Sequence, residues 1–391
     1  MKVTLMSRYA DRLDHIEPFR VMSLLARANE LQALGNDVIH MEVGEPDFGT
    51  PEPIVRHARR ALDEGRTKYT DAAGRPELRE AISRYYRTDY SLDIDPKRIF
   101  VSAGGSGALL LVMGLLVNPG DRWLMTDPGY PCNKNFLPAF NGIAQPIAVE
   151  PSSGFQLTRE LLELHWQQDT QAVLLASPAN PTGAVISPNE LSLMYEFVRG
   201  KGGHFVVDEI YHGLEYDLET KISALELGND VFVVNSFSKY FGMTGWRLGW
   251  MVVPEGAVSA VEKLAQNLFI CPSSIAQFAA LEAFSVDARE IMDVQREEFR
   301  RRRDFLVPAL RDAGLVVELE PAGAFYVYAR LPSGCPDSES FAKTLLEEHS
   351  VAVTPGTDFG QHEADRYVRI SYAEGLDRLK EAVIRIRHAL C

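Results

Sequence analysis

Val231-Phe232-Val233-Val234-Asn235-Ser236-Phe237-Ser238-Lys239-Tyr240-Phe241-Gly242-Met243-Thr244-Gly245-Trp246-Arg247-Leu248-Gly249-Trp250 is the stretch around which the rest of the chain is read. Its first four residues form a short apolar, β-branched run, the pattern of a buried strand. The run stops at Asn235, and two hydroxyls and one amine follow within four residues. A lysine leaving a buried strand is poorly solvated. Burial disfavours its charged form and lowers its pKa from about 10.4, which frees the amine to act as a nucleophile and form a Schiff base with an aldehyde. Ser236, Ser238 and the Arg247 guanidinium together suit an anion, phosphate above all. An aldehyde carrying a phosphate at its other end satisfies both halves, and pyridoxal 5′-phosphate is such a molecule. A surface lysine in a Ser/Gly loop fits the same residues, so the choice depends on the remainder of the chain.

Outward from this stretch, apolar runs near residues 99, 122, 172, 204, 231 and 248 alternate with helical patterns. That rhythm predicts an α/β fold with a mostly parallel, doubly wound sheet. Most polar candidates follow the carboxyl ends of these strands, where open α/β sheets place ligands. Ala103-Gly104-Gly105-Ser106-Gly107 joins the strand at 99–102 to an apolar helix expected from Ala108 to Val117, and a helix N-terminus of this kind is a ready phosphate site. A nicotinamide-binding unit is the competing reading. Gly105 and Gly107 begin such a pattern, but Leu110 stands where the third glycine belongs. Asp208 ends the strand 204–207, where a buried carboxylate needs a partner or caps a helix. Arg369 alternates with Val368 and Ile370 and so points to the opposite face of its strand.

The chain ends read differently. A helix over residues 17–34 and a strand at 38–43 open the chain. A long helical region is expected from Pro272 to about Arg311, with the charged run 296–303 as a solvated face. Strands at 316–320, 325–331, near 351 and at 367–372 follow, with helices at 338–348 and 376–389. This is an α+β pattern.

The 391 residues are 46% hydrophobic and 24% charged, with a formal net charge of −14. The composition is that of a globular chain, and the charge argues against nucleic acid as a partner. Cys132, Cys271, Cys335 and Cys391 show no metal-ligand or disulfide spacing, which suits a reducing cytoplasm and no metal site. Residues 1–20 lack a secretory apolar core, and no stretch suits a membrane span.

The stretch 236–250 resembles the cofactor-lysine signature of the class I/II aminotransferases, the fold-type I pyridoxal-phosphate enzymes related to aspartate aminotransferase. Five more segments resemble family motifs in family order: Gly44-Glu45-Pro46-Asp47-Phe48, the segment around Tyr69, Asn180-Pro181-Thr182-Gly183, Asp208-Glu209-Ile210-Tyr211 and Arg369-Ile370-Ser371-Tyr372. Ser177 departs from the family, where asparagine is common. The resemblance implies a large cofactor domain over 46–284 and a small domain from 1–45 and 285–391. It implies that Lys239 holds pyridoxal phosphate and acts as general base, that Asp208 pairs with the ring nitrogen, and that Tyr211 and Asn180 meet the ring hydroxyl. Tyr130 would stack on the ring. Gly105, Ser106, Gly107, Ser236, Ser238, Arg247 and the Tyr69 of a second copy would hold the phosphate, so a homodimer is implied. Gly44, Asn180 and Arg369 would bind the substrate, with Arg369 clamping its α-carboxylate. The expected activity is ping-pong transfer of an amino group from an L-amino acid to a 2-oxo acid. A C–S β-lyase or an aminocyclopropane-carboxylate synthase would share the same cofactor residues, and a non-catalytic cofactor-binding sensor is a more distant alternative. Phe19, Tyr130 and Phe325 near the pocket would suit neutral or aromatic substrates.

Overall fold

The structure is a computed structural model and describes residues 9–18, 20–218 and 220–390. Phe19 therefore lies outside the described residues. The chain opens with α1 (Arg20–Ala33), β1 (Ile39–His40), α2 (Glu52–Asp63) and α3 (Pro76–Tyr90). The central sheet and its helices follow: β2 (Ile99–Ser102), α4 (Gly104–Leu116), β3 (Arg122–Asp127), α5 (Pro131–Ala139), β4 (Ile143–Ala148), α6 (Arg159–His165), β5 (Thr170–Ala176), α7 (Pro188–Gly200), β6 (His204–Asp208), β7 (Phe232–Ser236) and β8 (Gly249–Val252). The remainder comprises α8 (Val258–Leu268), α9 (Ser274–Leu281), α10 (Val286–Ala313), β9 (Tyr326–Arg330), α11 (Ser338–His349), β10 (Val351–Ala352), β11 (Thr354–Pro355), β12 (Tyr367–Ser371) and α12 (Leu376–Leu390).

Seven strands form the main sheet in the order β2-β8-β7-β6-β5-β3-β4. β8 runs antiparallel to both its neighbours, and the other neighbouring pairs are parallel. The expected α/β sheet is therefore present, with an edge strand, β4, that the sequence reading lacked. Pro146 interrupts the apolar pattern there, and an edge strand tolerates the missing donor. In register, Ala176 faces Asp208, Asp208 faces Val234, and Ser236 and Ser102 both face Gly249. One edge of the sheet thus gathers the residues on which the chemistry depends.

α4 begins at Gly104, four residues earlier than Ala108, because the glycine-rich segment is itself the first helical turn. Leu109, Val112 and Met113 of α4 are buried against the sheet. A Cβ on Gly249 would lie 2.7 Å from Asn235 O and 2.9 Å from Gly105 N. The bare glycine therefore lets the helix start directly over the strand ends.

The chain ends build smaller sheets. β11-β12-β9 is antiparallel, with Arg369 between Thr354 and Tyr328, and β1 pairs with β10 in parallel. Three expectations need correction. The helical region after Pro272 is broken at Ser285, whose hydroxyl accepts the Ala288 amide at 3.3 Å and starts α10 afresh. The strand expected at 316–320 shrinks to one bridge, Val316 with Arg330. Beyond it the chain leaves to place the Ala322 and Gly323 amides 3.0 Å from Gly183 O. The run 296–303 is only partly a solvated face, since Arg302 and Arg303 are 4% and 5% exposed. Arg302 bonds Asp47 at 2.7 Å and covers the Phe48 ring, and Arg303 reaches Asp217 and Pro321 O. Among the described residues no helix is long and apolar enough to cross a membrane.

Candidate active site

A cavity of about 220 Å³ opens at the carboxyl ends of β5, β6 and β7. Lys239 leaves β7 three residues after its end and reaches into this cavity, where its Nζ donates to the Gly44 carbonyl. The amine lies 5.5 Å and 5.7 Å from the ring centres of Tyr211 and Phe325. Among the described residues no carboxylate forms an ion pair with it. Burial, reinforced by the Arg369 charge, pulls its pKa down to about 8. About a tenth of the amine is therefore free at pH 7, far more than for an exposed lysine.

Asp208, at the end of β6, is 4% exposed, and among the described residues its carboxylate accepts one hydrogen bond, from the Ile210 amide at 3.1 Å. This is a turn closed by the carboxylate rather than a helix cap, because no helix begins there. Burial pushes its pKa up to about 7. Arg369, 3% exposed, donates to Asn180 Oδ1 at 2.9 Å, to Thr354 Oγ1 at 3.3 Å and to the Glu42 carbonyl. Its Nε has no partner, and no acid among the described residues neutralises it. Its guanidinium lies between aromatic faces, 4.4 Å from the Tyr326 centroid and 4.7 Å from that of Phe359. Among the described residues neither Asp208 nor Arg369 forms an ion pair, and both line one cavity.

The third cation, Arg247, is at the rim. Arg247 has φ 52° and donates to Ser238 Oγ at 3.4 Å and to Thr244 O at 3.1 Å. Its guanidinium lies against Gly104, where φ is +71° and a Cβ would come 2.7 Å from Nη2. Ser236, Ser238, Gly105 and Ser106 line the same end of the cavity. Gly107 does not, and its amide is already bonded to Ala103 O at 3.3 Å. Although the chain carries a net charge of −14, the cavity presents Lys239, Arg247 and Arg369 against Asp208 and Glu45. Such a local inversion attracts anions.

Tyr130, Asn180, Tyr211 and Gly44 also line the cavity. Asn180 uses its carbonyl oxygen on Arg369, so its NH₂ is the end left to donate. Tyr211 shares a 2.8 Å hydrogen bond with Tyr326. Tyr69 stands apart: it is 82% exposed and outside this cavity. Sequence reading missed Tyr326, which lines the cavity, and named its neighbour Phe325, which stacks on Phe299 with its ring 5.7 Å from Lys239 Nζ. Strand alternation separates the two, but it does not say which faces the site. It also missed Val21, Met22 and Leu25, which bring the first turn of α1 to the cavity mouth.

The fit to an aldehyde phosphate with a basic ring can be judged from these groups. An unneutralised carboxylate suits a protonated ring nitrogen. Arg247, two serines and the start of α4 suit a phosphate. The low-pKa amine suits the aldehyde. Sheet and cavity together define a pyridoxal-phosphate transferase architecture of the aspartate aminotransferase kind. A family model described as aminotransferase class I and II matches residues 36–386, and the chain belongs to that family. It is 40% identical over 382 residues to a (5-formylfuran-3-yl)methyl phosphate transaminase of Methanocaldococcus jannaschii, covering 97% of this chain and 98% of that protein. It is 37% identical over 372 residues to a valine–pyruvate aminotransferase of Mycobacterium tuberculosis, covering 95% and 96%. The aspartate aminotransferase from Thermus thermophilus solved with maleate superposes with a TM-score of 0.93 at 34% identity, over 98% of this chain and 100% of that one. The protein is an aminotransferase, and the lyase and synthase alternatives are not favoured.

Proposed function

We propose that the amino group of an L-amino acid is passed to a 2-oxo acid at Lys239, with the surrounding groups in the following roles. The observation that carries this reading is the meeting of a depressed-pKa amine, an unneutralised Asp208 and an unneutralised Arg369 in one cavity. Pyridoxal phosphate bound there supplies an aldehyde for amines and a ring that accepts electrons from the substrate carbon. Lys239 Nζ would hold the cofactor, and the released amine would take the proton from the substrate Cα and deliver it to the cofactor carbon that bore the aldehyde. Asp208 retains the ring-nitrogen proton through an ion pair. Asn180 and Tyr211 would supply hydrogen-bond donors to the ring oxygen, and Tyr130 would stack on the ring. Arg247, Ser236, Ser238, Ser106 and the Gly105 amide would hold the phosphate, whereas Gly107, outside the cavity with its amide bonded to Ala103 O, is left out of that set. Arg369 orients the α-carboxylate, and Gly44 forms the adjoining wall.

The exposure of Tyr69 supports its use in the cavity of a second copy, hence a homodimer. The separate sheets support a cofactor domain over 46–284 and a small domain from 1–45 and 285–391. Free Cys132, Cys271 and Cys335 support a cytoplasmic location.

The test is the visible spectrum of the purified protein with pyridoxal phosphate, titrated with amino acids in the absence of an oxo acid. One stoichiometric 2-oxo acid per site with loss of the cofactor band is expected. Pyruvate plus ammonia in catalytic amounts would contradict the reading.

Asp208 gives a separate prediction. Its folded pKa of about 7 lies above the unfolded value of about 3.9. The folded protein binds more protons between those values, so this group's contribution to stability declines as pH rises through the window. In cofactor-free protein at pH 8, Asp208→Asn should therefore raise the thermal midpoint by about 1–3 °C. The same change should weaken cofactor binding at least about tenfold, as loss of a buried ion-pair partner does. Scanning calorimetry with and without cofactor reads both.

A further inference from the structure

The three cations lining the cavity are each engaged on the reading just given, on which this inference rests. Lys239 serves the reacting amine, Arg247 lies with Ser238, and Arg369 lies with Asn180. An apolar wall beside the clamp is the start of α1, where Val21, Met22 and Leu25 face the cavity beside Val43. Arg20, the nearest cation on that helix, is committed elsewhere: its guanidinium bonds Glu339 and Thr357. The one charged side chain from the adjoining segment that lines the cavity is Glu45. A carboxylate brought to this wall would meet the Glu45 carboxylate and find no donor on α1 among the described residues, an unfavourable arrangement.

The turn is fixed in place relative to the carboxylate clamp. Asp358 accepts the Arg20 amide at 3.0 Å and the Val21 amide at 3.3 Å, capping α1 from the far end of the chain. The next residue, Phe359, packs its ring 4.7 Å from the Arg369 guanidinium. Arg27 adds a paired contact to Glu347 at 2.7 Å and 2.8 Å. Arg369 and the apolar turn are thus held as one unit. An amino acid gripped at its α-carboxylate has a rigid surface beside it.

We infer that the first turn of α1 receives the amino donor's side chain and selects neutral, apolar side chains against dicarboxylates, with Met22 and Leu25 as specificity-determining residues. Met22 is the position to vary, because at 56% exposure a substitution there costs the fold little.

The experiment is steady-state kinetics of the holoenzyme on L-alanine, 2-aminobutyrate, norvaline, leucine and aspartate with one fixed acceptor. For the wild type, kcat/KM should rise by about fourfold per added methylene until the wall is filled. Aspartate should fall at least about 100-fold below the best neutral donor. Met22→Ala should lower kcat/KM for leucine about fourfold or more and leave alanine unchanged. Met22→Arg should shift the aspartate-to-leucine ratio toward aspartate by at least about tenfold. The cofactor absorption of both variants should match that of the wild type. Aspartate as the preferred donor, or Met22 variants that leave every ratio unchanged, would overturn the role of α1 while leaving the aminotransferase reading intact. Absence of turnover with every donor would overturn the assignment of the cavity and this inference with it.

Discussion

Lys239→Ala is expected to lower turnover by about 10⁴-fold or more, because on the function proposed above it removes both the covalent anchor and the general base. Lys239→Arg should be equally inactive. It keeps the positive charge, but a guanidinium with a pKa above about 12 stays protonated and supplies no free base. The pair of variants therefore separates base chemistry from electrostatics. Neither should unfold the protein, since the side chain makes one hydrogen bond, to the Gly44 carbonyl, and burial opposes its charge. Thermal midpoints within a few degrees of the wild type would verify this. The wild-type amine also has a measurable pH signature. With its pKa pulled down to about 8, the fraction of free amine falls about tenfold per unit below that value and saturates above it. The rate at which cofactor-free protein captures pyridoxal phosphate should rise through pH 8 and then level. A rate still rising steeply at pH 10 would mean that the cavity does not depress Lys239.

Arg369→Ala should cost about 10²–10³-fold in kcat/KM for amino acids, the loss expected when a buried partner of a carboxylate is truncated. Cofactor binding should change little, because the phosphate end of the cavity is built from Arg247, Ser236 and Ser238. Arg369→Lys should recover only part of the loss, since an ammonium cannot reproduce the planar fork. Nor can it span both Asn180 Oδ1 and the Glu42 carbonyl in the present geometry. Pre-steady-state titration of the cofactor band with each amino acid measures the affinity directly. An unchanged half-saturation in Arg369→Ala would place the carboxylate elsewhere.

The sequence disclosed the parts of this site that local patterning controls. Lys239, Asp208 and Asn180 each follow an apolar strand, and the strands lie side by side with those ends aligned. Position along the chain therefore became position in space. Contacts that close over long separations were not legible. The cap of α1 is Asp358, 338 residues from Arg20, so no helix-start signal near residue 20 could indicate it. Arg302 and Arg303 looked like part of a solvated stripe because their neighbours are charged. Their burial depends on Asp47, Phe48, Asp217 and Tyr216, which the fold brings in from elsewhere. Phe325 does lie near the pocket, its ring centre 5.7 Å from Lys239 Nζ, but Tyr326, which lines the cavity, was not legible for a similar reason. Alternation gives two faces, and only the placement of β9 beside β12 decides which one meets Arg369.

The carboxylate at residue 358 has a bearing on how such a protein changes over generations. It fastens the helix that selects the substrate to the loop beside the clamp, and not to the sheet that carries Lys239. Reaction and diet are thus inherited on separate pieces. A handful of substitutions on one exposed helical turn can exchange one nutrient for another, while the residues that move the proton stay untouched.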